Sequence, residues 1–271
     1  MATDAFKVRA SSWGKLFDCA YKWEGENLLG MRKPSGPPAA LGTAIHAGTA
    51  VFDSARLAGT PITADEACGA LVDALQHPKD EVDWNADEDL TQAQAERIGL
   101  TLVTRYCTEW SPKFTFEAVE LETKPMDIDC GGGIVVRLTG TLDRSRVIAG
   151  ANGGKAIYDL KSGGTAVQKG VAKTKGHRAQ LGTYELLEAH TTGEPCTLPA
   201  GIIGLKTKGT PEIATGEIRN ARELMVGTAE APGLLQHAAL MFRTGMFPPN
   251  PSSHLCAEKF CARWHACPYH E

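Results

Sequence analysis

Residues 140–164, GTLDRSRVIAGANGGKAIYDLKSGG, decide how this chain is read. Two short runs with strand-like alternation flank a glycine-rich turn. The first run carries Asp143; the second carries Asp159 and, two residues on, Lys161. On neighbouring strands these groups place two acids and one ammonium where a single divalent metal could be shared. Two carboxylates make a hard oxygen site suited to Mg²⁺ or Mn²⁺. A lysine beside such a site can orient a water or neutralise charge developing on a phosphate. This is the minimal kit for metal-assisted phosphodiester hydrolysis.

Upstream of this stretch the pattern is helical. Ser11 and Ser12 can cap a helix running to about residue 29, with Trp13, Leu16, Phe17 and Ala20 on one face. KPSGPP at 33–38 breaks it, and a second helix follows through LGTAIHAGTAVFDSARLAG, ended by Gly59-Thr60-Pro61. Thr63 and Glu66 form a capping-box pattern for a third helix to about His77. A fourth has Leu90, Ile98, Leu102, Tyr106 and Trp110 at helical spacing. Then FTFEAVELE, IVVRLTGTLDRSRVI and KAIYDLK read as strands, with turns at Gly131-Gly132-Gly133 and Gly150-Ala151-Asn152-Gly153-Gly154. A helix from about Gly176 to His190, strands through AGIIGLK and PEIATGEI, and a last long helix from about Arg219 to Arg243 complete the plan. The expected fold is α/β: a helical part over 1–110, a mixed sheet flanked by helices over 111–218, and a helix with a cysteine cluster over 219–271, all within one domain.

At 271 residues, with 42% hydrophobic and 22% charged residues, the chain can bury a sizeable core. No stretch approaches the roughly 18 uncharged apolar residues that span a bilayer, so no membrane role is expected. MATDAFKVRASSWGK lacks the apolar core of a signal peptide, which points to the cytoplasm. A net charge of −4 argues against nonspecific coating of nucleic acid, yet the charge is uneven. Asp80, Glu81, Asp83, Asp87, Glu88, Asp89 and Glu96 crowd one stretch, whereas Lys161, Lys169, Lys173, Lys175 and Arg178 form a run without an acid. That run is either a solvated loop or a phosphate-binding surface beside the candidate metal site. Of eight cysteines, Cys256, Cys261 and Cys267 cluster, while Cys19, Cys68, Cys107, Cys130 and Cys196 are scattered. In a reducing compartment such a cluster points to metal or iron–sulfur ligation rather than disulfides.

The order His46, Asp143, Asp159-x-Lys161, Gln180-x-x-x-Tyr184 resembles the RecB-like branch of the PD-(D/E)XK nuclease superfamily. The likeness extends to nuclease domains of bacterial recombination helicase-nucleases (the AddB type), to four-cysteine exonucleases associated with CRISPR systems, and to stand-alone phage exonucleases. It spans Cys19 to Cys267. The resemblance implies a PD-(D/E)XK core whose metal is held by His46, Asp143, Asp159 and the backbone carbonyl of Leu160. His46 lies in GTAIHAG, four residues after Gly42, and an imidazole tilts preference toward Mn²⁺. The catalytic set is Asp143, Asp159, Lys161, Gln180 and Tyr184. Gln180 and Tyr184 project from one helix face, toward the active site or the nucleic-acid backbone. Lys173, Lys175, His177 and Arg178 are candidate DNA contacts, the last two at a helix start that attracts anions. Glu120, in FEAVELE, is an upstream acid within reach of the site, and Glu122 shares its strand face by period-two alternation; both read as supporting residues.

Cys256-x4-Cys261-x5-Cys267 supplies three thiolates, and a cubane takes four. By the resemblance Cys19 is the remote fourth ligand of a 4Fe–4S cluster that joins the amino- and carboxyl-terminal segments and restricts the unfolded chain. The competing occupant is structural Zn²⁺, with Cys3His ligation through His254, His265 or His270.

The implied activity is a metal-dependent exonuclease acting on single-stranded DNA or duplex ends, in phage or host recombination, repair or replication. For a phage-encoded chain the compartment would be the host cytoplasm. The alternatives are a catalytically silent DNA-binding or assembly module of the same fold, or a structure- or sequence-specific endonuclease. No G-x-x-x-x-G-K-[ST] motif is present, so unwinding would come from a separate helicase or recombinase.

Overall fold

Alternating β-branched and apolar residues build a five-stranded sheet that divides the molecule into two apolar layers. The computed structural model describes residues 5–87, 89–150 and 153–270. Glu88 of the acidic stretch, and Ala151 and Asn152 of the glycine-rich turn, lie outside them. In chain order, strand β1 (Ala5–Arg9) leads into helices α1 (Trp13–Asp18), α2 (Ala20–Asn27), α3 (Pro37–Leu57), α4 (Ala64–Gln76) and α5 (Gln92–Arg105). Strands β2 (Thr115–Glu122), β3 (Met126–Asp129), β4 (Val135–Thr139), β5 (Thr141–Ile148) and β6 (Gly154–Gly163) follow. A hairpin of β7 (Val167–Gln168) and β8 (Val171–Ala172) precedes α6 (Arg178–Thr192). Strands β9 (Ala200–Lys206) and β10 (Glu212–Ile218) and helices α7 (Ala221–Val226) and α8 (Leu234–Thr244) complete the set.

The central sheet runs β10-β9-β6-β5-β2 and is mixed, since β6 and β9 are parallel while its other pairs are antiparallel. A second sheet, β1-β4-β3, stands beside it. Helices α3, α4 and α5 cover one face of the central sheet, where Leu41, Ile45, Leu71 and Leu102 meet Leu160 and Ile203. The other face and the small sheet bury Trp13, Trp23, Leu138, Ile157, Leu181 and Phe242. Along β6, Leu160 enters the first core and Ile157 the second, the alternation of a strand buried on both faces. Truncating any of these large side chains to alanine costs about 2–5 kcal/mol.

Local signals set the helix starts. Thr63 with Glu66 and Thr91 with Gln94 form complete capping boxes at α4 and α5, each cap worth about 1 kcal/mol. Pro37 occupies the first turn of α3, where its missing N–H costs nothing.

The structure departs from the sequence reading at three joints. The first helix does not run unbroken to residue 29: it stops at Asp18 and restarts at Ala20, with Cys19 extended at φ −144°, ψ 95° between them. The run 134–148 is not one strand, because it turns at Gly140 and passes from the small sheet to the central one. A Cβ at Gly140 would lie 2.8 Å from the Tyr184 ring, so glycine permits α6 to approach this corner. The last helix is two: α7 ends at Gly227 (φ 83°), and Pro232-Gly233 precedes α8.

Candidate metal centre and cysteine cavity

Pairing between β5 and β6 ends at Arg144↔Tyr158, and β6 then continues against β9 alone. The strands part there, and the Leu160 N–H is donated at 2.7 Å to Asp143 Oδ2 instead of a neighbouring carbonyl. The Leu160 carbonyl lies 3.1 Å from His46 Nε2, which α3 delivers from the other layer. In the tautomer that donates from Nε2 to this carbonyl, His46 Nδ1 turns its lone pair toward Asp143 Oδ2, 3.6 Å away. Burial is the main influence holding the His46 imidazole below its ordinary pKa, against the charge of Asp143, so the neutral, ligating form prevails at pH 7.

Glu120, read from the sequence as a supporting residue, joins this pair in space. Ligand atoms of His46, Glu120 and Asp143 all lie within 4.8 Å of one another. Glu120 sits between the pairs Val119↔Arg144 and Leu121↔Leu142, in the left-handed region at φ 49°. Such a conformation is costly for a non-glycine residue and is concentrated at functional sites. Glu122, expected on the same face, lines a different surface with Lys7 and Arg9. Burial first, and then the Asp143 charge, push the Glu120 carboxyl up to about 7.

A buried network braces these side chains. The Arg144 side chain is 0% exposed and gives Nε to Asp53 Oδ2 at 2.7 Å. Its Nη1 reaches Glu120 Oε1 at 3.3 Å and the Asp143 carbonyl at 2.7 Å. Asp53 also accepts from Tyr106 Oη at 2.6 Å and Ser111 Oγ at 2.5 Å. The sequence signal for this network was Arg144 itself, a cation in the middle of a central strand.

Asp159 stands at the edge of the group. Its Oδ1 accepts from Gln180 Nε2 at 3.1 Å, and its Oδ2 faces Lys161 Nζ at 2.5 Å. That contact is ionic only, for Oδ2 is buried without a well-formed hydrogen bond. Burial and then the Asp143 charge raise the proton affinity of Asp159, while Lys161 opposes them. Gln180 Nε2 also lies 3.3 Å from Tyr184 Oη, so the Gln180–Tyr184 helix face meets the acids as expected. Burial chiefly, followed by the charges of Asp159, Asp143 and Glu120, raises the pKa of the Tyr184 hydroxyl. Crowded carboxylates, a buried carboxylate oxygen without a well-formed hydrogen bond, a neutral imidazole and the Leu160 carbonyl fit a hard divalent cation well.

Of the basic run, Lys169 (φ 51°) turns the β7–β8 hairpin with Gly170 (φ 76°), while Lys161 lies on β6 and Lys173 and Lys175 follow β8. The hairpin rests on β9 and β10, where a Cβ at Gly204 would meet Ala166 O at 2.5 Å and one at Gly216 would meet Ala172 O at 2.7 Å. His177 is the N-cap of α6; burial, then the charges of Lys161 and Lys173, lower its pKa to about 4. It therefore offers an uncharged imidazole at neutral pH. Arg178 gives Nε and Nη2 to Asn220 O, at 3.2 and 2.8 Å, which ties it to α7's start. Lys173 belongs to the charges surrounding the site, and Lys175 lies in the link to α6.

The four cysteines singled out in the sequence line one cavity: Cys19 from the α1–α2 break, and Cys256, Cys261 and Cys267 from the carboxyl-terminal loops. Several contacts clamp these segments together. Ser253 Oγ donates to Asp18 Oδ2 at 2.6 Å, and Arg263 bonds Tyr21 O at 2.8 Å while lying 3.6 Å over the Tyr21 ring. Among the described residues no trio of cysteine sulfurs falls within the 4.8 Å that unites His46, Glu120 and Asp143. His265 instead pairs with Glu258 at 3.3 Å, and His270 stacks on Trp264 at 4.0 Å.

The chain belongs to the PD-(D/E)XK nuclease superfamily, whose family model matches residues 10–268. Among solved structures it is similar to a protein from Eubacterium rectale named "Putative exonuclease", at 15% identity and a TM-score of 0.50. That match covers 94% of this chain and 87% of the other, and at this identity it shows a shared fold. A second structure, SSO0001, matches at 18% identity over 65% of this chain and 78% of its own, with a TM-score of 0.36. No curated protein sequence matches the chain significantly. Among the described residues no helix is long and apolar enough to cross a membrane.

Proposed function

We propose that the protein is a divalent-metal-dependent DNA exonuclease of the RecB-like branch, one nuclease unit whose terminal segments are joined by a 4Fe–4S cluster. The observation that carries the reading is the convergence of His46, Glu120 and Asp143 within 4.8 Å, beside the Leu160 carbonyl and the Asp159–Lys161 pair. Mg²⁺ or Mn²⁺ held there would lower the pKa of a water and polarise the scissile phosphate. Asp143, Asp159, Glu120, His46 and the Leu160 carbonyl are its ligand set. Lys161 positions the attacking water and offsets charge on the phosphate, with Asp159 keeping its ammonium in place. The water oxygen bonds to phosphorus, the bond to one ester oxygen breaks, and that oxygen leaves with a proton. Gln180 fixes Asp159, and Tyr184 fixes Gln180.

For the cysteines, a zinc tetrahedron with bonds of about 2.3 Å draws sulfurs to roughly 3.8 Å apart. Four cysteines from the two ends of the chain line one cavity, the thiolate number a cubane takes, which supports a cubane over zinc. Reduced thiols and a labile cluster suit a cytoplasmic setting. Unwinding of duplex DNA falls to a separate helicase or recombinase. Digestion of linear DNA labelled at either end, alongside covalently closed circles, with Mn²⁺ or Mg²⁺, tests the assignment. Shortening of linear strands from an end with circles intact is the expected result. Nicking of circles would make it an endonuclease, and no cleavage of any substrate a silent module.

A further inference from the structure

Tyr184, whose hydroxyl meets Gln180 beside Asp159, also lines a groove of about 380 Å³ together with Lys7, Arg9, Ser11, Glu122 and Thr141. Its volume falls in the range of ligand sites, and its lining is mostly polar. Lys7 and Arg9 alternate on β1 with Val8, which is 0% exposed, so both project from the solvent face. Among the described residues neither the Lys7 ammonium nor the Arg9 guanidinium has an ion pair or side-chain hydrogen bond. Other arginines nearby are occupied: Arg137 by Asp127, Arg144 by Asp53 and Arg178 by Asn220. Two uncommitted cations against one carboxylate, Glu122, leave the groove net positive.

We propose that this groove is a second phosphate-binding subsite, which holds a single DNA strand on the side of the scissile bond away from the basic hairpin. The proposal rests on the nuclease reading and adds the strand's path to it. His177 and Tyr184 are seven residues apart on α6, about 10 Å along its axis. Gln180, bonded to Asp159, lies between them. A strand entering past Lys173 and His177 therefore crosses the acids at Gln180 and meets the groove beyond Tyr184. Lys7 and Arg9, two residues apart on an extended strand, are separated by about 6.6 Å, close to the spacing of successive phosphates in a nucleic-acid strand. Ser11 and Thr141 add hydroxyl donors on the groove wall.

The test measures binding separately from cleavage. Full-length protein carrying Asp159→Asn, in Ca²⁺, is titrated against a fluorescein-labelled oligothymidylate across a salt series. Adding Lys7→Ala and Arg9→Ala should weaken binding at least tenfold at low salt. The log–log salt slope should flatten by about 1.4, two contacts at about 0.7 each. Adding Glu122→Gln should tighten binding several-fold by removing the one opposing charge, and Lys79→Ala, outside both surfaces, should change nothing. DNA binding with affinity and slope unaffected by Lys7→Ala and Arg9→Ala would overturn the subsite while sparing the nuclease reading. Absence of DNA binding even with Lys7 and Arg9 intact would overturn both.

Discussion

Asp53→Ala would strip the Arg144 guanidinium of its carboxylate inside a wall of protein. Both side chains are 0% exposed and 2.7 Å apart, so solvent cannot replace the lost partner. Breaking a buried pair in this way costs about 3–5 kcal/mol. Tyr106 and Ser111 lose the same acceptor, at roughly 1 kcal/mol each where no new partner is found, which places the total toward the upper end of that range. At about 2–4 °C per kcal/mol for a chain of this size, the thermal midpoint should fall by about 10–20 °C. Asp53→Leu with Arg144→Met, which removes both charges and keeps volume, should recover most of that loss. The recovered double variant should still bind Mn²⁺ more weakly, because Arg144 no longer holds Glu120. Thermal unfolding in chelator, followed by Mn²⁺ titration of each variant, reads both effects. Asp53→Ala within 1 kcal/mol of the parent, or penalties that simply add in the double variant, would refute the coupling.

Further outcomes follow from the same geometry. Lys161→Ala should retain Mn²⁺ binding by calorimetry yet lose turnover, since its ammonium supplies no ligand atom and touches only Asp159 of the ligand set. Glu120, raised to about 7 from its ordinary 4.5, binds more protons folded than unfolded. Its contribution to metal-free stability is therefore full below about pH 4.5 and lost as pH rises through 7; a metal displaces those protons. The Mn²⁺-induced rise in melting temperature should thus be larger at pH 8 than at pH 5.5, and an equal rise at both would contradict the assignment. Cys19→Ala should lose visible absorption as completely as Cys261→Ala, while Cys68→Ser and Cys130→Ser keep it. A colourless wild-type protein with stoichiometric zinc would defeat the cubane. Gly140→Val should lower the thermal midpoint, because its side chain collides with the Tyr184 ring.

What the sequence disclosed and what it withheld divide along physical lines. Asp143, Asp159 and Lys161 were legible because they sit on alternating strands bounded by glycine turns, and Gln180 and Tyr184 because helical spacing puts them on one face. The approach of Glu120 to His46 and Asp143 was not legible because alternation assumes extended backbone, and a residue at φ 49° breaks that rule. The Asp53–Arg144 bond joins residues 91 apart, a separation at which no local pattern operates. The two-residue strands of the β7–β8 hairpin are too short to show a period, and what fixes them is contact with Gly204 and Gly216. The break at Cys19 has no glycine or proline to announce it. It turns Cys19 toward a cavity whose other thiols come from residues 256–267.

Cleavage of end-labelled single-stranded DNA in Mn²⁺ by the wild-type protein and by Asp143→Ala tests the central claim most directly. Loss of several kcal/mol of transition-state stabilisation, at 1.4 kcal/mol per decade, predicts a rate lower by about 1,000-fold or more for Asp143→Ala. Its far-UV circular dichroism should match the parent. Digestion by Asp143→Ala at the wild-type rate would contradict the account.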